Sequence, residues 1–307
     1  MTNASPQLFM AQTTHRPNPS SSATKPLKNR IAVVFDFDET LAPDALDGLL
    51  KFLDIDVEEF RQQQVRPLEA AGWDHITARC YCLIRESHQR SYGDKITRDT
   101  LAQFGQQIEP FPGVENMLER LQQRVQELNP DIELEFYIIT GGFGDIVRNT
   151  SIAHYFKRIW GCEFAYDDQG EIEFLKRGIS HTEKTHYLMQ ISSGQETVDS
   201  SGQAFAYRDA PEEDLCIPLS QMVYVGDGAS DVPCFSLLND KRGFSIGVTK
   251  DYSNAQWGQD VQVSESQRVS NLAVADYQDD SEMLRSLTLA VESICKQIAL
   301  HQLSIGE

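Results

Sequence analysis

The sequence predicts an α/β fold in which helices cover an open parallel sheet and a helical segment follows the first strand. Residues 31–35, 136–139 and 222–225 are continuous apolar runs, as expected for strands that are buried on both faces of a parallel sheet. An amphipathic helix over residues 114–128 precedes the second run, which gives the βαβ rhythm of such a sheet. Residues 43–109 show helical signals only.

Composition and charge restrict the class of partner. A chain of 307 residues is long enough for one large α/β domain and a smaller one, and 40% hydrophobic with 24% charged residues is ordinary for a globular protein. A net charge of −19 argues against nucleic acid or an anionic membrane surface as a partner. No run approaches the roughly 20 apolar residues of a membrane helix. If the substrate is an anionic phosphate ester, its site needs local positive charge.

The cysteines and the N-terminal segment indicate the compartment. Cys80 and Cys82 are the closest of six cysteines, and their spacing is too tight for a CxxC metal or redox motif. We therefore expect buried, reduced thiols in a cytoplasmic protein. Residues 1–29 are rich in Ser, Thr, Pro, Asn and Gln and lack a continuous apolar stretch, so they are predicted to be a disordered tail and not a secretory signal.

The segment after the first strand is predicted to be a helical cap. No strand alternation occurs between residues 43 and 109, and Pro67 and Gly93 interrupt the helical pattern. Helices are predicted over residues 45–53, 57–64, 73–91 and 98–108. The predicted domains are therefore a core of residues 30–42 and 110–307 and a cap of residues 43–109.

The remainder of the core continues the α/β pattern. Pro110 to Gly113 marks the boundary after the cap, and residues 167–170 form a hairpin turn between strands at 162–166 and 171–175. Residues 192–213 are polar and are predicted to be a surface loop, whose role stays open. The other predicted elements are helices over residues 152–159, 182–191, 230–238 and 282–300 and a strand over residues 244–248.

Polar side chains that suit phosphate chemistry follow the predicted strands. In an open α/β sheet, ligands bind beyond the carboxyl ends of the strands, so these residues should gather at one edge. Clustered carboxylates repel one another and need a cation to stay ionised, and a set of oxygen ligands favours Mg²⁺. The residues are Asp36, Asp38, Thr140, Asp227 and Asp231.

Four segments in this order resemble the motif set of the haloacid dehalogenase (HAD) superfamily. They are Asp36-x-Asp38-x-Thr40, Thr140 after an apolar strand, Lys184 near the start of a helix, and Gly226-Asp227-x-x-x-Asp231. The helical insert and the Gly141-Gly142-Phe143 segment resemble the phosphoserine-phosphatase-like branch. The resemblance implies a Rossmann-like parallel sheet core, the HAD fold, with a small helical cap inserted after the first strand.

The resemblance also implies a role for each motif residue. Asp36 would be the nucleophile that forms an aspartyl-phosphate, and Asp38 would be the general acid and base. Thr140, Gly141 and Lys184 would bind the substrate phosphate. The metal, Mg²⁺, would be held by Asp36, Asp38 through its carbonyl, and Asp227, with Asp231 beside it or bound to it.

Each motif alone has an ordinary explanation. Asp-x-Asp could belong to a calcium loop or a helix cap, Gly-Asp-Gly could be a strand-to-helix turn, and Lys184 could be a solvated lysine. The full set implies a Mg²⁺-dependent phosphomonoester hydrolase that acts on a small phosphorylated metabolite. The alternatives are a phosphomutase with the same core chemistry and a non-catalytic, phosphate-binding regulatory protein on the same scaffold. The sequence predicts neither the substrate nor the oligomeric state.

Overall fold

A seven-stranded sheet forms the centre of the protein. The computed structural model describes residues 28–194, 214–249 and 269–305. The sheet order is β4-β3-β2-β1-β5-β6-β7. The strands are β1 (Arg30–Phe35), β2 (Glu133–Phe143), β3 (Arg158–Tyr166), β4 (Ile172–Arg177), β5 (Met222–Gly226), β6 (Phe244–Thr249) and β7 (Asn271–Val274). The predicted α/β class with a parallel sheet is confirmed.

Strand β1 is central, and its neighbours set the edge at which the motif residues meet. Val33 pairs with Phe136 of β2 on one side and with Val223 of β5 on the other. Both pairings are parallel, so the three strands end at the same edge of the sheet. Only β4 is antiparallel to its neighbour, because it returns from β3 through the turn at residues 167–170.

Ten α-helices surround the sheet in the described residues. Helix α6 packs beside α10, and α8 packs beside α9. A π-helical stretch (Phe60–Val65) joins α2 to α3. The helices are α1 (Ala45–Phe52), α2 (Val57–Glu59), α3 (Arg66–Ala70), α4 (His75–Gln89), α5 (Arg98–Gly105), α6 (Val114–Leu128), α7 (Gly144–Val147), α8 (His181–Ser193), α9 (Val232–Asp240) and α10 (Glu282–Ile305).

Helices α1 to α5 make up the insert, residues 43–109. Helices α1 and α4 begin at side-chain caps: Asp44 accepts a hydrogen bond from the Asp47 amide, and Asp74 accepts one from the Ile76 amide. The insert also contacts the β3–β4 hairpin, where the Ile172 amide donates to the Ile96 carbonyl at 3.0 Å. That the insert is a separate domain that acts as a cap stays a prediction.

The structure differs from the sequence prediction in several places. Strand β7 and helix α7 lie in segments for which no element was predicted. Residues 152–159 are not one helix: a 3₁₀ turn (Ser151–Tyr155) is followed by β3, because Ile159 pairs with Ile138 in the sheet. Ser192 and Ser193 belong to α8 and not to the predicted polar loop. The rest of that loop, apart from Gly194, and residues 1–27 of the predicted tail lie outside the described residues. Within the described ranges, no helix combines the length and the apolar character needed to cross a bilayer.

Candidate active site

Asp36 occupies the first position beyond β1. Its amide donates to the Val225 carbonyl at 2.8 Å, so the backbone still follows the register of β5. Its carboxylate Oδ1 accepts a hydrogen bond from the Phe37 amide at 2.7 Å, and the residue is only 5% exposed. The second carboxylate oxygen, Oδ2, points toward the lysine described below.

Asp38 lies on the turn that leads into the insert. Its Oδ1 accepts from the Ala45 amide at 2.8 Å, and the Thr140 hydroxyl lies 3.5 Å from its Oδ2. Burial, together with repulsion from Asp44 and Asp36, raises the pKa of the Asp38 carboxyl to about 7. A carboxyl group with a pKa near neutrality can both donate and accept a proton.

Strand β2 brings Thr140 and a glycine to the same place. Thr140 is fully buried, and its hydroxyl accepts from the Gly142 amide at 2.9 Å. A β-carbon at Gly142 would lie closer than 3.0 Å to the Asp38 carboxylate. Glycine at this position therefore allows the end of β2 to approach Asp38.

Lys184 of α8 is buried among carboxylates. Its side chain is 1% exposed, and its Nζ donates to Asp36 Oδ2 at 2.8 Å, to Asp231 Oδ1 at 2.7 Å and to the Ser230 hydroxyl at 3.0 Å. Burial alone would lower the pKa of Lys184, but the two carboxylates raise it above its ordinary value. The ammonium group therefore stays charged beside Asp36.

The loop after β5 supplies Asp227 and Asp231. Asp231 is fully buried; its Oδ1 also accepts from the Tyr224 hydroxyl at 2.7 Å, and its Oδ2 accepts from the Gly228 amide at 3.2 Å. A β-carbon at Gly226 would collide with the Asp231 side chain, which explains the glycine there.

Three carboxylates form a group that could hold a metal ion. Asp36, Asp227 and Asp231 each offer an oxygen atom, and these atoms lie within 4.8 Å of one another. Burial and mutual repulsion raise the pKa of Asp36 to about 6, despite Lys184, and that of Asp227 to about 8. One ammonium group does not balance three clustered carboxylates, two of which are buried, so a divalent cation fits here. Oxygen ligands without Cys or His suit Mg²⁺.

Sequence reasoning did not single out three side chains that complete this site. Arg79 of α4 donates to the Gly141 carbonyl and lies over the Phe143 ring, 5.7 Å from its centroid. Tyr224 and Ser230 hydrogen-bond to Asp231 and Lys184 respectively. Ser230 lies inside the fourth motif. Arg79 could not be found in this way, because nothing in the sequence shows which face of α4 meets the sheet.

The chain was compared with known proteins in sequence and in structure. No family model matches the chain. An uncharacterized protein from Borreliella burgdorferi is 26% identical over 239 residues, which cover 69% of this chain and 80% of that protein. The structure of a phosphoserine phosphatase in its apo form is similar at a TM-score of 0.54 and 16% identity, over 85% of this chain and 99% of that one.

A second solved structure is similar over much of the chain. A HAD family hydrolase from Salmonella enterica is similar at a TM-score of 0.52 and 12% identity, over 76% of this chain and 66% of that chain. The chain therefore spans slightly less than two thirds of that hydrolase. The protein has the HAD fold, in the form seen in phosphoserine phosphatases.

Proposed function

We propose that this protein is a Mg²⁺-dependent phosphomonoester hydrolase that acts on a small phosphorylated metabolite through an aspartyl-phosphate. The main support is the position of Asp36, whose buried carboxylate contacts Lys184 and lies within 4.8 Å of the other metal-group carboxylates. Asp38, with a pKa raised to about 7, is two residues away. The proposed nucleophile Asp36, the ammonium group of Lys184 and the proposed acid/base group Asp38 thus lie close together at the edge of the sheet.

Asp36 and Asp38 would divide the chemistry between them. A carboxylate oxygen of Asp36 attacks phosphorus, and the bond from phosphorus to the ester oxygen breaks while Asp38 gives its proton to that oxygen. Asp38, now a carboxylate, takes a proton from the water that attacks the phosphorus of the aspartyl-phosphate. Inorganic phosphate leaves, and both carboxyl groups return to their starting states.

The remaining residues would bind and orient the phosphate. Lys184 and the Thr140 hydroxyl, with a backbone amide at Gly141, would hold the non-bridging oxygens. Asp36, the carbonyl of Asp38 and Asp227 would hold Mg²⁺, which when bound would offset negative charge on the transferring phosphoryl group. Asp231 would lie beside these metal ligands and support them, since its carboxylate already accepts three hydrogen bonds.

The insert supports the proposal of a small substrate. Arg79 reaches from α4 to the Gly141 carbonyl, so the insert lies directly against the proposed phosphate-binding turn. A cytoplasmic location, expected from the cysteine spacing in the sequence, belongs to the same proposal.

Hydrolysis of a generic aryl phosphate tests the proposal. We expect turnover with Mg²⁺, none with EDTA and none in Asp36→Asn. Asp56→Asn is the matched control: Asp56 caps α2 on the exposed surface, and asparagine caps a helix equally well, so activity should be unchanged. Activity that survives Asp36→Asn would contradict the proposal. A protein that binds Mg²⁺ and BeF₃⁻ without turnover would leave two explanations, a cap that excludes the aryl probe or a phosphomutase. Failure to bind either would favour the non-catalytic protein.

A further inference from the structure

Tyr277, outside every motif, is bonded to the loop that bears Asp38. It follows β7, is 1% exposed, and its hydroxyl donates to the Thr40 carbonyl at 2.8 Å. The Thr40 hydroxyl is itself buried without a hydrogen-bond partner among the described residues. The side chain of Thr40 therefore does not anchor this loop by a hydrogen bond, whereas its carbonyl does.

Tyr277 also contacts the chain where it returns from the insert. Its amide donates to the Pro112 carbonyl at 3.0 Å. Gly113 has a left-handed φ of +87°, and a β-carbon there would lie closer than 3.0 Å to the Tyr277 backbone. The second linker of the insert is thus seated on Tyr277, and only glycine permits the approach.

The two linkers are bonded to each other, and the first is tightly wound. The Phe111 amide donates to the Leu41 carbonyl at 2.8 Å. The Leu41 amide donates back to the Phe37 carbonyl at 2.8 Å, so the turn closes around Asp38. Because the turn is closed in this way, a shift of the Thr40 carbonyl would also move Asp38.

We infer that Tyr277 is a positioning residue for the proposed phosphatase reaction. It ties the base of both linkers to the sheet, so the loop that carries Asp38 is held on the core independently of the insert. The inference rests on the proposed function, since it assigns Tyr277 an effect on catalysis through Asp38.

Two tyrosine-to-phenylalanine variants separate this role from ordinary core packing. Tyr277→Phe removes the bond to Thr40. The control is Tyr137→Phe, which also removes a hydroxyl bond in the core, from Tyr137 to Glu135, away from the site. We expect Tyr277→Phe to lower kcat roughly 3- to 10-fold with KM within about twofold, and Tyr137→Phe to leave both unchanged.

Hydrogen exchange supplies a readout that does not need activity. The Leu41 and Phe111 amides should exchange roughly 3- to 10-fold faster in Tyr277→Phe, and not in Tyr137→Phe. Equal exchange and equal kcat in the two variants would overturn the inference. If wild-type protein hydrolyses nothing but the exchange difference is present, the proposed function fails while the anchoring by Tyr277 stands.

Discussion

Replacement of Lys184 by methionine should destabilise the protein, because it leaves the site's buried carboxylates without their positive charge. The Lys184 side chain is 1% exposed, and its ammonium group lies within 2.8 Å of the Asp36 and Asp231 carboxylates. The side chains of these two aspartates are 7% and 0% exposed. Methionine fills a similar volume but leaves both carboxylates without an ion-pair partner. Removal of one partner of a buried ion pair costs about 3–5 kcal/mol, and because one ammonium serves both carboxylates, the two losses do not simply add. We expect the free energy of unfolding to fall by about 3–5 kcal/mol.

Urea unfolding at pH 7.5 in EDTA measures this change without interference from bound metal. The matched control is Lys296→Met, because the Lys296 side chain is 71% exposed and its ion pair in the described part of the chain is with Glu292 at 3.6 Å. A surface pair of this kind contributes about 0–1 kcal/mol. In the activity assay Lys184→Met should also lower kcat at least about 100-fold, since in the proposed function it removes the charge that would bind the substrate phosphate. If Lys184→Met and Lys296→Met unfold at the same urea concentration, the account of the site electrostatics is wrong.

Three further variants test the site, the sheet and the contact between insert and hairpin. Gly142→Ala should lower kcat about 100-fold, because the new methyl group displaces the Asp38 carboxylate; wild-type kinetics would contradict this. Glu135→Gln should lower the free energy of unfolding by about 2–3 kcal/mol at pH 7, since Glu135 is buried and paired with Arg30. Burial acts to raise the pKa of Glu135, but its hydrogen bonds outweigh that effect and hold the pKa below its ordinary 4.5. Its stabilisation is therefore complete above that value and is lost as the pH falls through the lowered pKa, so urea titrations at pH 7 and pH 3 should show the difference shrinking. Glu171→Gln should weaken the hydrogen bond and ion pair that the insert makes with the hairpin, and faster proteolysis of the insert than in wild type would be the expected sign.

The motif residues were predictable because a parallel sheet aligns the ends of its strands. Asp36 and Asp227 follow β1 and β5, and Thr140 lies near the end of the adjacent strand β2, so their meeting needs no information beyond the strand pattern and its pairing. Lys184 required more, since a lysine on a helix is usually solvated. The resemblance to the HAD motifs, and not its local sequence, pointed to the site.

The residues that sequence reasoning missed act through packing between distant segments. Arg79 contacts Gly141 across 62 positions of sequence, and Tyr277 contacts Thr40 across 237. Neither has a local pattern that distinguishes it from other arginines of the insert or from a core tyrosine. Residues 152–159 were misassigned because their apolar spacing suits a helix, whereas β2 offers Ile159 a pairing partner that the local sequence does not reveal.

Trapping the phosphorylated residue tests the central claim most directly. Enzyme quenched during turnover of an aryl phosphate with Mg²⁺ would be treated with borohydride, which reduces an acyl-phosphate, and its peptides would be analysed by mass spectrometry. The account predicts a reduced side chain at Asp36, absent when substrate is omitted. A modification at another residue, or an unmodified Asp36 in an enzyme whose burst kinetics show that an intermediate accumulates, would contradict the aspartyl-phosphate mechanism.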